Sequence, residues 1–200
     1  GQGGDFLFGT FTAADIMSMQ DYGEGRRERR RAMTELKMPR RVAVGPDATF
    51  YFENYATMWH QVHEMLFIEK GGEAQLADEL AAFNPLIPKG GELVATLMFE
   101  IDDAERRGRF LAGLGGVEKT ITLTVADQVI AAVAEDDVER TTAGGKASSI
   151  HFLRFPFAPG LTASFRQAGT RIVLAIGHPT YGHMAALSEE VREALAGDFD

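Results

Sequence analysis

The 200-residue chain has no cysteine, which excludes disulfides, thiolate metal sites, cysteine-held iron–sulfur clusters and any thiol nucleophile. Oxygen and imidazole are the metal ligands left, and there are five histidines to supply the latter. Long apolar runs are missing too. The stretches Ile172 to Gly177 and Phe152 to Phe157 fall far short of the roughly 18 residues a membrane-spanning helix needs, and Arg154 interrupts the second. The first residues, Gly1 to Gly9, lack a basic segment followed by an apolar one, so no export signal is read and the expected location is the cytoplasm, away from membranes. Residues 1–11, with no initiator Met, read as a disordered or appended N-terminus. Catalytic signatures are equally scarce. Ser148-Ser149 is not in a nucleophile elbow, Gly113-Leu114-Gly115-Gly116 has neither the preceding strand nor the lysine of a phosphate-binding loop, and no triad can be named.

What the chain has is enough apolar content, 45%, to fill one core, and a lopsided charge. The formal charge is −9, yet the sixteen residues from Arg26 to Arg41 carry eight basic and two acidic side chains, a net +6 that leaves −15 on the other 184. Such asymmetry predicts an electropositive patch on an acidic body, made by Arg26, Arg27, Arg30, Arg31, Arg40 and Arg41 and able to hold a small anion or an acidic protein partner. Internal pairing with the chain's own carboxylates is the other reading. Nucleic acid is a weaker expectation, because few aromatics are interleaved with the arginines and the whole chain is acidic.

The pattern of elements predicts a mixed α+β fold, a largely antiparallel sheet with helices packed on it, as a single domain over 12–200 that is helical to about residue 88 and sheet-rich after. Thr12 and Asp15 read as a capping box opening a helix that Gly23 and Gly25 weaken, so that a second or kinked helix follows to Lys37 and Pro39 ends it. Val42, Val44, Phe50 and Phe52 flank a turn at Gly45-Pro46-Asp47. Asn54 to Lys70 is an amphipathic helix, and Glu73 to Phe83 another. Strands are read at 93–101, 118–125, 129–133, 150–157 and 171–177, with helices at 102–114, 159–167 and from Ser188. The acidic, then Thr- and Gly-rich stretch from Glu135 to Ser149 reads as a mobile loop.

Several motifs sit together here: Arg40-Arg41-Val42-Ala43-Val44-Gly45-Pro46, Phe52-Glu53-Asn54, Gln61-Val62-His63-Glu64-Met65, Asn84-Pro85-Leu86-Ile87-Pro88, Arg154-Phe155-Pro156 and His178-Pro179-Thr180-Tyr181. Together they resemble the bacterial domain-of-unknown-function family 3501 over nearly the whole chain. The resemblance implies an uncharacterised protein whose gene neighbours are rubrerythrin-like and iron–sulfur oxidoreductase-like, and so a setting in redox or metal metabolism. His60 and His63 depart from the family pattern, which carries other residues there.

On a helix, His60, His63 and Glu64 share a face opposite the stripe through Met58, Val62, Met65 and Leu66. Two imidazoles and a carboxylate one turn apart can bind a divalent metal ion, with Glu53 or Glu79 as the nearest further acid, and would then serve a metal-dependent enzyme. A polar solvated face is the alternative. Phe67 and Ile68 make the face less polar than a free surface, which leaves room for a second packing interface. For Glu53, Glu64, Glu92 and Glu100, acids set among apolar residues, a buried pair could act as acid and base or bind a metal, and pairing with the arginines at 29, 30, 40 or 41 is the expected way to satisfy them.

Overall fold

The computed structural model describes residues 9–135 and 146–200. Thr12 and Asp15 form the capping box that their spacing predicts, but it closes one 3-10 turn, Ala13–Asp15, rather than opening a long helix. Helix α1, Met19–Lys37, starts later under Ser18, whose Oγ accepts from the Asp21 N–H. Gly23 and Gly25 do not divide it. Gly23 lies where Phe67 comes closest, since a Cβ there would stand 2.9 Å from Phe67 Cε2. Pro39, which cannot donate to a helix, sits in the 3-10 turn Met38–Arg40 that follows.

Strands β1 (Arg41–Val44) and β2 (Ala48–Glu53) then form the expected hairpin. Helix α2, Tyr55–Glu69, is capped by reciprocal Asn54 and Thr57 hydrogen bonds and stops at Lys70, which adopts the left-handed conformation. There follow α3 (Gly72–Phe83), β3 (Glu92–Phe99), α4 (Ala104–Ala112), β4 (Ile121–Val125), β5 (Gln128–Ala131), β6 (Val133–Ala134) and β7 (Ile150–Pro156). The chain ends with α5 (Leu161–Arg166), β8 (Ile172–His178), β9 (Tyr181–Ala186) and α6 (Glu189–Ala196). β9 was not expected, because Tyr181–Ala186 has no β-branched residue and carries a glycine and two alanines; pairing along β8 makes it a strand.

The fold is α+β with wholly antiparallel pairing, in two sheets: β1-β2-β3-β7-β6 and β5-β4-β8-β9. Alternation along β3 explains the layering. Leu93, Ala95, Leu97 and Phe99 face the second sheet, in one core with Phe52, Phe155, Leu123 and Leu174. Val94 faces the opposite way and packs with Met58, Val62, Leu66 and Ile87 beneath the helices. The five-stranded sheet is therefore covered on both faces, by strands on one side and by helices on the other.

The N-terminal stretch expected to be disordered is already packed at Phe11, which is buried and exchanges backbone hydrogen bonds with the Asn84 side chain. Residues 1–8 lie outside the described residues. So do residues 136–145, on which most of the expected mobile loop falls; its flanks are anchored, with the Glu135 N–H on the Phe152 carbonyl and the Ala147 N–H on that of Leu111. Among the described residues no helix is long and apolar enough to cross a membrane.

Tyr181 stitches the sheets together. Its hydroxyl, carried by β9, accepts from the Asp47 and Ala48 N–H groups at 3.1 Å and donates to the Val44 carbonyl at 2.6 Å, all in the β1–β2 hairpin. Gly45, at φ +71°, leaves room for it, since a Cβ there would stand 2.5 Å from the Tyr181 hydroxyl. Replacing Tyr181 by Phe strands three backbone groups in a dry region and should cost about 3 kcal/mol or more, a Tm fall of about 6–12 °C, measured by thermal unfolding. A fall of under 2 °C would show that the sheets are held together without it.

Candidate functional site

Helix α1 buries one side chain completely, Tyr22, whose ring packs against Trp59, His63 and Phe67 of α2. Polar contacts add to this. The Tyr22 hydroxyl donates to Glu64 Oε2 at 2.7 Å, Arg26 Nε to the same oxygen at 2.8 Å, and Arg26 Nη2 to Glu64 Oε1 at 3.1 Å. Arg30 Nε stands 3.5 Å from Oε1. Burial alone would raise the Glu64 carboxyl, but the hydrogen bonds from Arg26 and Tyr22 outweigh it and hold the group below the usual carboxylate range. Burial, and then the Glu64 hydrogen bond, push the Tyr22 phenol up. Arg26 also lies over Phe67, with Cζ 4.7 Å from the ring centre, and Arg29 over Trp59 at 5.2 Å. The second packing interface that Phe67 pointed to is thus α1.

His63 is fully buried beneath this joint. Its Nδ1 lies 2.7 Å from the Trp59 carbonyl and its Nε2 accepts from the Met17 N–H at 3.0 Å, which assigns the proton to Nδ1. The ring stacks on Trp59 at 3.7 Å. Burial holds the imidazoles of His63 and His60 below their ordinary pKa. Glu53 is elsewhere, at the end of β2, where its carboxylate accepts from the hydroxyls of Thr57 and Thr96. Glu79 is in contact with Gln75. Among the described residues, no three or more His, Asp or Glu side chains are grouped so as to hold a metal ion.

The arginines divide into two sets. Arg40 is buried, its Nε on the Phe52 carbonyl at 2.9 Å and its Nη2 on the Glu53 carbonyl and on Asp198 Oδ2 at 2.5 Å. Burial outweighs that ion pair and raises the Asp198 carboxyl. Arg26 is engaged with Glu64. Arg27, Arg30, Arg31 and Arg41 are exposed. Three of these, with Lys37, border a groove of about 510 Å³ floored by His60, Gln61 and Met65. A second groove of about 330 Å³ shares Met33 and His60 with it and is apolar, between Ala32 and Leu36 of α1 and Tyr55 and Trp59 of α2. Of the acids expected to pair with the arginines at 29, 30, 40 or 41, Glu64 has Arg30 at 3.5 Å beside Arg26, whereas Glu92 lies 4.0 Å from Arg154, Glu100 takes the Tyr51 hydroxyl and Glu53 takes those of Thr57 and Thr96. The part played by Tyr22 was missed, although Tyr22 and Arg26 stand one helical turn apart.

Over residues 10–199 the chain matches the family described as Protein of unknown function (DUF3501), and it belongs to that family. A crystal structure of a novel protein of unknown function from Burkholderia pseudomallei K96243 is similar, with 34% sequence identity and a TM-score of 0.88 over 96% of this chain and 100% of that one. No curated protein matches the chain.

The joint is expected to loosen in acid. The folded pKa of His63 lies below its unfolded value, so the stability it contributes is complete above about 6.5 and is lost as pH falls below that. Glu64, also depressed, adds a second loss at lower pH, below the ordinary carboxylate range. Trp59 is the chain's one tryptophan, so its emission should change as pH falls below about 6.5 in the native protein, and by less in His63→Phe. Tyr22→Phe should cost about 2 kcal/mol at neutral pH. Emission that stays constant over that range would contradict the assignment.

Proposed function

We propose that this is a non-catalytic accessory protein that docks an acidic segment of a partner protein in the groove between α1 and α2. The observation that carries this is the convergence of Arg30, Arg31, Lys37 and Arg41 around one groove whose single acid, Glu64, is already matched by Arg26. The positive end continues into the apolar one through Met33 and His60. An extended segment with acidic residues and one apolar anchor fits that shape better than a lone small anion does. Partner choice by charge then follows from a local +6 on a chain of −9. We extend the proposal to the setting that the family resemblance implies, redox or metal metabolism.

Two other readings use the same residues less well. A metal-dependent enzyme would need His63 and Glu64 as ligands, and both ring nitrogens of the first and both oxygens of the second are already occupied. Nucleic acid would have to approach a body that carries −15 outside the basic segment.

A fluorescent peptide with four or five acidic residues around one Phe should bind, with affinity falling as salt rises. The triple variant Arg30→Ala, Arg31→Ala, Arg41→Ala should weaken binding at least about tenfold with Tm within about 2 °C, because exposed ion pairs add little stability. A neutral peptide that binds equally well, or a triple variant that binds like the native chain, would overturn the proposal.

A further inference from the structure

A separate cavity of about 370 Å³ lies on the outer face of the five-stranded sheet, within the size range of small-molecule sites. It shares Lys37 and Gln61 with the basic groove but is built differently. Tyr51, Thr96 and Phe152 lie side by side in register across β2, β3 and β7 and form its floor. Met58 of α2, Phe83 at the end of α3 and Leu86 in the 3-10 turn after it enclose it.

Into this largely apolar space the sheet sets one carboxylate. Glu53 is 7% exposed. Its Oε2 accepts from the Thr57 hydroxyl at 2.5 Å and its Oε1 from the Thr96 hydroxyl at 3.2 Å. Neither donor carries charge. The adjacent Arg40 directs its N–H groups to the carbonyls of Phe52 and Glu53 and to Asp198 instead. Lys37 lines the cavity but is not within ion-pair distance of Glu53, and among the described residues no other cation is. A buried carboxylate without an ion-pair contact is costly, and burial raises the Glu53 pKa despite its two hydroxyl donors and the nearby charges of Lys37 and Arg40.

We propose that the cavity binds a small organic ammonium, its primary amine seated on the Glu53 carboxylate and its alkyl or aryl body lying against Met58, Leu86 and Phe152. The ligand's ammonium makes the direct ion-pair contact that neither Lys37 nor Arg40 makes, and its three N–H donors reach the acceptor capacity that Thr57 and Thr96 leave unused. Lys37, in the same cavity, opposes any cation and opposes a doubly charged one more, so a monoamine is preferred to a polyamine. The site is distinct from the proposed docking groove, and neither reading depends on the other.

Titration calorimetry of the full chain with phenethylamine and hexylamine, against hexanoate and hexanol of matching size, tests this. One-to-one binding of the amines is expected, at least about tenfold tighter than of hexanol and with hexanoate not binding. Glu53→Gln should remove the preference for amine over alcohol. Should that variant fail to fold, Ile150→Trp narrows the cavity from a partly exposed position and should weaken amine binding while leaving Tm nearly unchanged. Hexanoate binding as tightly as the amines, amine binding that survives both substitutions, or no amine binding at millimolar concentration would each overturn the proposal.

Discussion

One carboxylate holds the basic helix in place. α1 contributes a single fully buried side chain, Tyr22, packed on the rings of α2, and the polar half of its seat is Glu64, which gathers the Tyr22 hydroxyl and the Arg26 guanidinium from successive turns of that helix. Glu64 is held ionised by those same donors, and the arrangement reinforces itself: the closer α1 lies, the better the charge is matched. The consequence reaches the surface. With Arg26 turned inward to Glu64, Arg27, Arg30 and Arg31 on the same helix are left exposed.

The second constraint is the five-stranded sheet, buried on both faces. Its inner face completes the core with the other sheet, and its outer face must be covered by α2 and α3. Two helices do not tile a twisted sheet completely, and the uncovered end above β2, β3 and β7 is where the Glu53 cavity opens. Both features proposed to bind something therefore arise from the same helical layer. One lies between α1 and α2, and the other between that layer and the sheet.

Much of the fold was legible because its elements obey strong local rules. Ser188 ahead of α6 and the Gly45-Pro46-Asp47 turn announce element ends through side chains that bond the backbone or set its dihedrals. What was hidden depended on distant partners. β9 has a poor strand sequence and exists because β8 pairs with it. Gly23 reads as a helix breaker until Phe67 is seen beside it. His63 reads as one of a polar trio, yet it is buried through contacts with Met17 and Tyr22, more than forty positions away. Arg40 looks like its neighbours in a basic run, and the carbonyls of Phe52 and Glu53 together with the return of the chain at Asp198 make it internal.

The central claim is that the basic segment serves two purposes, with Arg26 and Arg40 holding the structure and the exposed arginines recognising a partner. Measuring Tm and acidic-peptide affinity for each single Arg→Ala change at 26, 27, 30, 31, 40 and 41 tests it most directly. The account predicts that the changes at 26 and 40 lower Tm, and that those at 30, 31 and 41 lower affinity with Tm nearly constant, with 27 having the smallest effect of the exposed set because it lies outside the groove lining. Six variants that lose stability and affinity in the same proportion would contradict it.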